Sequence, residues 1–195
     1  MEQYYILFRN VSLFLLSAFE TAYHLPPQTL TSKVSHDASE VRINHYTDID
    51  IADIRKGGVT RISPHTDLGV ITCLFQDGSG GLEMEDREHK GEFIPIPSDS
   101  PFEMIVNISE TFQRWTNDKL PAGVHQVTIP QHMKHLDKGI IPSRYSSACF
   151  VKANRDAMVG PLSEFVSEKE PAVYDYISAL EYHQRRITSA YLRQA

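Results

Sequence analysis

Apolar residues recur at three- and four-residue spacing near the start of the chain and later switch to alternation. Leu7, Val11, Phe14, Leu15, Ala18, Phe19 and Ala22 keep the helical spacing and predict an amphipathic helix packed on the outside of a sheet. His24-Leu25-Pro26-Pro27 ends it, because proline has no amide donor and holds the preceding residue extended. Residues 28–39 are polar and read as a loop. Alternation over 41–46 predicts a strand with Asn44 and Tyr46 on one face and Val41, Ile43 and His45 on the other. Residues 47–60 predict a surface connection. A strand at 70–76 runs into Asp77-Gly78-Ser79-Gly80-Gly81, a hairpin turn; neither a helix N-terminus nor a P-loop lysine follows to make it a phosphate loop.

Further strands are predicted at 82–85, 92–96 and 102–108. Ser109 is placed to cap a short helix through Phe112 and Trp115. A strand at 124–127 and a long loop at 130–142, with His132 and His135 solvated, precede the last strand at 143–151. Val173, Ile177, Leu180 and His183 predict a terminal helix. Many short strands framed by helices indicate a mainly β fold, and a jelly roll (double-stranded β-helix, cupin-like) suits it best, with a core of about 40–152 in a single domain spanning 1–195.

Composition narrows the partners. A net charge of −6 with no basic stripe argues against nucleic acid. Cys73 and Cys149 both lie in apolar strands, where free thiols are the expectation, and this fits a reducing, cytoplasmic setting. The apolar run from Val11 to Phe19 is too short to span a bilayer and is flanked by Glu2 and Glu20, so neither a membrane anchor nor a signal peptide is expected.

The chemistry centres on Ser63-Pro64-His65-Thr66-Asp67-Leu68-Gly69. In extended chain, residues i and i+2 point to the same side, so His65 and Asp67 can offer an imidazole nitrogen and a carboxylate oxygen to one point. His125 would complete two histidines and one carboxylate, a set that leaves metal positions open and is associated with non-haem Fe(II) oxygenases. Arg144 and Ser146 form a second i, i+2 pair, a planar fork beside a hydroxyl that suits a carboxylate. Asn44 and Tyr46 form a third. Any one pair alone reads as ordinary strand residues; three pairs facing one cavity describe a site for a divalent metal and a small dicarboxylate.

These residues resemble the Fe(II)- and 2-oxoglutarate-dependent dioxygenases of the isopenicillin N synthase-like group. The resemblance is carried by Arg42-Ile43-Asn44-His45-Tyr46, Ile62-Ser63-Pro64-His65-Thr66-Asp67, Leu74-Phe75-Gln76-Asp77, Gly80-Gly81-Leu82-Glu83, Val106-Asn107-Ile108, Arg114-Trp115-Thr116-Asn117, Val124-His125-Gln126-Val127 and Arg144-Tyr145-Ser146. It implies that His65, Asp67 and His125 hold Fe(II) and that Arg144 and Ser146 bind the distal carboxylate of 2-oxoglutarate, with Asn44 and Tyr46 assisting. It further implies use of O2, release of succinate and CO2, and oxidation of a small organic substrate in secondary metabolism. Three departures stand out. Gln126 occupies a position where arginine often follows the second histidine, Ser109-Glu110 replaces a common Gly-Asp, and the stretch from His125 to Arg144 is long. The N-terminal region usual in the family does not precede the first helix. Two other readings remain: an Fe(II) oxidase of the same fold that binds a substrate carboxylate at Arg144, and a truncated, non-catalytic metal-binding module. The Asn44/Tyr46 pair favours 2-oxoglutarate over the oxidase. Zinc hydrolysis is disfavoured, because no carboxylate base is well placed. Oligomeric state is open.

Overall fold

The computed structural model describes residues 1–34, 38–97, 100 and 102–192. In chain order the elements are α1 (Glu2–Ala22), β1 (Glu40–Tyr46), β2 (Ile49–Asp50), α2 (Ile51–Arg55), β3 (Ile62–His65), β4 (Ile71–Gln76) and β5 (Leu82–Glu85). They continue with β6 (Phe93–Pro95), β7 (Ile105–Ile108), α3 (Glu110–Trp115), β8 (His125–Val127), β9 (Ile140–Ile141), β10 (Arg144–Val151) and α4 (Ala179–Leu192).

Two four-stranded antiparallel sheets, ordered β1-β10-β4-β7 and β3-β8-β5-β6, share the main strands, and the chain passes repeatedly from one sheet to the other. Side chains from both sheets line one cavity, which makes the pair a double-stranded β-helix. Alternation divides β4 cleanly. Ile71 and Cys73 join the core beneath α1, whereas Thr72 and Leu74 face the cavity. On β10, Cys149 and Val151 go to the core while Arg144, Ser146 and Ala148 go to the cavity.

Helix α1 packs on the outside of the first sheet on a face that its apolar spacing matches only in part: Leu15 and Phe19 pack against the core as expected. Its buried residues are Phe8, Ser12, Leu16 and Glu20, while Leu7 and Phe14 are exposed. The helix is apolar on more than one side, so periodicity alone does not select the buried stripe. Ser12 is tolerated inside because its hydroxyl donates to Phe8 O at 2.7 Å. Glu20 is tolerated because it accepts backbone N–H groups from Gln28, Leu30 and Thr31.

Other boundaries shift for local reasons. The 47–60 connection contains β2 and α2, the latter capped by Asp50, whose side chain accepts from Ala52 N at 2.8 Å. Ile51 anchors this segment in a small second cluster with Ile129 and Ile141. The 130–142 loop supplies β9, which pairs with β2. The terminal helix starts at Ala179; Val173 is exposed, and Ile177 is buried in extended chain that meets Val159 through a backbone bond of 2.9 Å.

Candidate active site

Strand β3 lies at the edge of its sheet, where Pro64, lacking an N–H, costs no ladder bond. Ile62 pairs with Val127 and His65 with His125, so three steps along β3 match two along β8. This one-residue irregularity turns His65 directly opposite His125, with ring centroids 4.3 Å apart. Both histidines are oriented in the same way. His65 Nδ1 lies 3.0 Å from Ser63 O and His125 Nδ1 lies 3.1 Å from Gly123 O. A carbonyl can only accept, so each Nδ1 is the donor, and in a neutral ring the lone pair is left on Nε2.

Asp67 is two residues beyond the end of β3 and not on a strand as the i, i+2 spacing predicts. A turn places it instead. Glu110 N donates to Asp67 O (2.8 Å) and Thr111 N to Gly69 O (2.9 Å), so the first amides of α3 find their acceptors in the turn. Ser109 does precede α3, but its hydroxyl makes no cap bond and sits 3.4 Å from Thr72 Oγ1. Thr72 Oγ1 in turn donates to Asp67 Oδ2 at 2.6 Å. His65 Nε2 and His125 Nε2 approach the two Asp67 oxygens at 3.7 and 3.9 Å. One ligand atom from each of His65, Asp67 and His125 lies within 4.8 Å of the others, a spacing that could hold a metal ion. Burial, and then the nearby His65, push the His125 pKa down while Asp67 pulls it up, with a net lowering that favours the neutral imidazole a metal needs. The His65 side chain is 40% exposed and that of Asp67 6%, so the site opens past His65.

The two other sequence pairs meet as one cluster. Across β1 and β10, Tyr46 is opposite Arg144 and Asn44 is opposite Ser146. Asn44 Nδ2 reaches Ser146 Oγ at 3.4 Å, and the Arg144 guanidinium lies 4.9 Å from the Tyr46 ring centre. Arg144 is 1% exposed. Its Nη2 donates to Gln76 Oε1 at 2.7 Å, and its Nε and Nη1 are buried without a hydrogen-bond partner, as is Gln76 Nε2. No carboxylate pairs with this cation among the described residues; burial lowers its pKa, opposed by Tyr46 and Asp77. A buried guanidinium without a counter-ion is costly, and a bound carboxylate would relieve it. The donor set therefore fits both groups: two imidazoles and a carboxylate for Fe(II), a buried fork for 2-oxoglutarate.

Thr72 and Gln76 went unassigned in the sequence. Both are inward positions on β4, yet only the sheet register shows that Thr72 reaches Asp67 and Gln76 reaches Arg144. Gln126 turns away from the His65–Asp67–His125 group and donates to Glu83 Oε2 at 2.8 Å. Buried Glu83 also pairs with Lys134, so the long 130–142 loop brings a cation to it. Glu110 accepts from Thr66, from Tyr182 and from Arg186 (2.6 Å), tying α4 to the turn between His65 and Asp67.

The family model described as the 2OG-Fe(II) oxygenase superfamily matches residues 27–153. The chain is 51% identical over 191 residues to the 2-oxoglutarate-dependent dioxygenase phqC of Penicillium fellutanum, covering 98% of this chain and 54% of that protein. It is 46% identical over 194 residues to the 2-oxoglutarate-dependent dioxygenase imqE of Aspergillus flavus, covering 100% of this chain and 53% of that protein. The chain thus spans about half the length of the curated relatives it matches. Among solved structures, a full-length Neurospora crassa protein in complex with alpha-KG and 5-formyluracil superposes with a TM-score of 0.85 at 26% identity, over 97% of this chain and 59% of that one. No helix among the described residues is long and apolar enough to cross a membrane.

Proposed function

The chain belongs to the 2OG-Fe(II) oxygenase superfamily, and from that premise we propose that it is a non-haem Fe(II)- and 2-oxoglutarate-dependent dioxygenase of the isopenicillin N synthase-like group. It oxidises a small organic molecule of secondary metabolism by hydroxylation, desaturation or ring formation. Residues 1–195 form one oxygenase domain, working in the cytoplasm, a setting that the free, buried thiols of Cys73 and Cys149 suit. Neither nucleic acid nor membrane is a partner in this reading. His65, Asp67 and His125 hold Fe(II); Arg144 and Ser146 take the distal carboxylate of 2-oxoglutarate, with Asn44 and Tyr46 beside them. When bound, iron and the oxo-acid supply oxygen activation coupled to oxidative decarboxylation, which releases succinate and CO2.

The chain's own residues orient and exclude. Ser63 O and Gly123 O hold the two imidazoles with their Nε2 lone pairs inward. Thr72 fixes one Asp67 oxygen. Gln76 turns the Arg144 fork towards the cavity, and Leu74, Leu82, Val127 and Ala148 give that cavity apolar walls that keep water from it. The exposed edge of His65 leaves the approach for the substrate.

One observation carries this reading. Three ligand atoms and a buried guanidinium with no ion-paired carboxylate among the described residues meet in a single cavity. The relatives' names favour it over an oxidase that binds a substrate carboxylate at Arg144. Anaerobic titration of the Fe(II)-loaded protein with 2-oxoglutarate tests it through the weak visible charge-transfer band. A saturable band is expected in the wild type, lost in Asp67→Ala and shifted to at least about tenfold higher concentration in Arg144→Ala. Iron that binds without any band would turn the reading towards the oxidase or the inactive module.

A further inference from the structure

The end of the barrel that carries Arg144 holds a second guanidinium. Arg61, just before β3, donates from Nη2 to Thr47 O at 3.1 Å and Pro142 O at 2.7 Å, with Ile141 O at 3.5 Å. Thr47 follows Tyr46 directly, and Pro142 stands two residues before Arg144. One side chain thus ties the exit of β1 to the entry of β10, the two strands that present the carboxylate-binding cluster. All three acceptors are neutral carbonyls, and no carboxylate makes an ion pair with Arg61 among the described residues. Its Nε and Nη1 are buried without partners, like Nε and Nη1 of Arg144 and Nε2 of Gln76.

The two cations also feel each other. Burial lowers the Arg61 pKa most, and the charge of Arg144 lowers it next, with Asp48, Tyr46 and Asp77 opposing. Arg61 is only half-buried, so this repulsion is modest in the ligand-free protein, and an incoming carboxylate offsets it.

We propose that Arg61 is a positioning and selectivity residue for the acidic cosubstrate, holding Tyr46 and Arg144 in place and adding a second positive charge that favours a 2-oxo diacid over a 2-oxo monoacid. The inference rests on the function proposed above. Arg61 acts through Tyr46 and Arg144 as well as through its field, and the metal ligands take no part in it.

The test compares wild type, Arg61→Gln and Arg61→Lys, each loaded with Fe(II) and kept anaerobic. Each is titrated calorimetrically with 2-oxoglutarate and with 2-oxobutanoate, which lacks the distal carboxylate, and each ligand-free protein is melted. Arg61→Gln is expected to bind 2-oxoglutarate about tenfold more weakly, on the order of one lost charge-assisted contact. Its affinity for 2-oxobutanoate and for iron stays the same, so the diacid preference falls by the same factor. Arg61→Lys, which keeps the charge and loses the fork, falls about threefold. The ligand-free melting temperature of Arg61→Gln is expected to change little, because the carbonyl contacts it loses are largely exposed and the glutamine amide can replace one of them. Equal losses on both acids, or an unchanged preference in both variants, would overturn the proposal; so would a ligand-free melting temperature reduced in step with affinity, which marks a purely structural clamp. If Arg61→Gln does not fold, the preference measured in Arg61→Lys decides by itself. A wild type that binds both acids alike would remove the 2-oxoglutarate reading as well. A wild type that prefers the diacid, with variants that match it, would remove the Arg61 assignment alone.

Discussion

Asp67 shows how much a single side chain depends on its neighbours. Its carboxylate is buried, and a buried carboxylate is stable only when hydrogen-bonded or paired with a cation. Thr72 supplies one strong bond to Oδ2. Valine in place of Thr72 keeps the shape and removes the donor, so Thr72→Val is expected to leave the fold intact and weaken Fe(II) binding about ten- to a hundredfold. Competition with a chromogenic iron chelator measures this, and an affinity within a factor of two of wild type would show that Asp67 needs no such support. Thr72 could not be singled out from the sequence, because a threonine in a strand is ordinary until the register brings it against a carboxylate. His65, Asp67 and His125 were different: imidazole and carboxylate stand out by residue type, although a turn and not strand alternation places Asp67.

At the level of elements, the turn between β3 and β4 is held from both sides. The start of α3 bonds to Asp67 O and Gly69 O, while Val70 N donates to Val151 O of β10 at 2.7 Å. Gly69 lies so close to β10 that a Cβ there would meet Val151 O at 2.5 Å. That oxygen is already fixed by backbone pairing and has little room to give. Gly69→Ala is therefore expected to destabilise the protein by about 1–3 kcal/mol and to loosen the Asp67 turn, read as a lower melting temperature together with weaker iron binding. A loss of stability with unaltered iron affinity would show that the turn moves as a unit and spares Asp67. The sequence marked Gly69 only as the end of the His-x-Asp stretch. Its packing against a strand near the far end of the barrel sequence is a property of the closed fold.

For the whole molecule, acid stability depends on a group far from the site. Burial pushes the Glu20 pKa up, but the backbone N–H groups of Thr31, Leu30 and Gln28 and the Thr31 hydroxyl outweigh it, and the net value lies below the ordinary 4.5. A carboxyl whose folded pKa is depressed adds stability above its unfolded pKa and loses it as pH falls through the folded value. Glu20 therefore stabilises the docking of α1 at neutral pH, and that contribution falls progressively as the pH drops below about 4.5 and through the lower folded value. Wild type should lose more melting temperature between neutral pH and about pH 3 than Glu20→Gln does. Equal losses would place the acid sensitivity elsewhere. In the sequence Glu20 only closes the apolar run; the return of residues 28–31 over the helix end is what buries it.

What the sequence determined by itself was the set of local periods and the chemistry they carry. Alternation with period two marked the main strands and sorted Asn44 with Tyr46 and Arg144 with Ser146, because side-chain direction in extended chain is a local property. Residue types then indicated a metal and a carboxylate, and with them the family. Tertiary structure decided everything that depends on which strand lies beside which. The irregular β3–β8 register faces His65 with His125, the β1–β10 register merges two pairs into one cluster, and the return of the 130–142 loop gives Glu83 its lysine. It also chose the buried stripe of α1, which a helix apolar on several sides leaves open, and let Arg61 bridge Thr47 and Pro142. These are contacts between residues far apart in the chain, and they exist only once the barrel has closed.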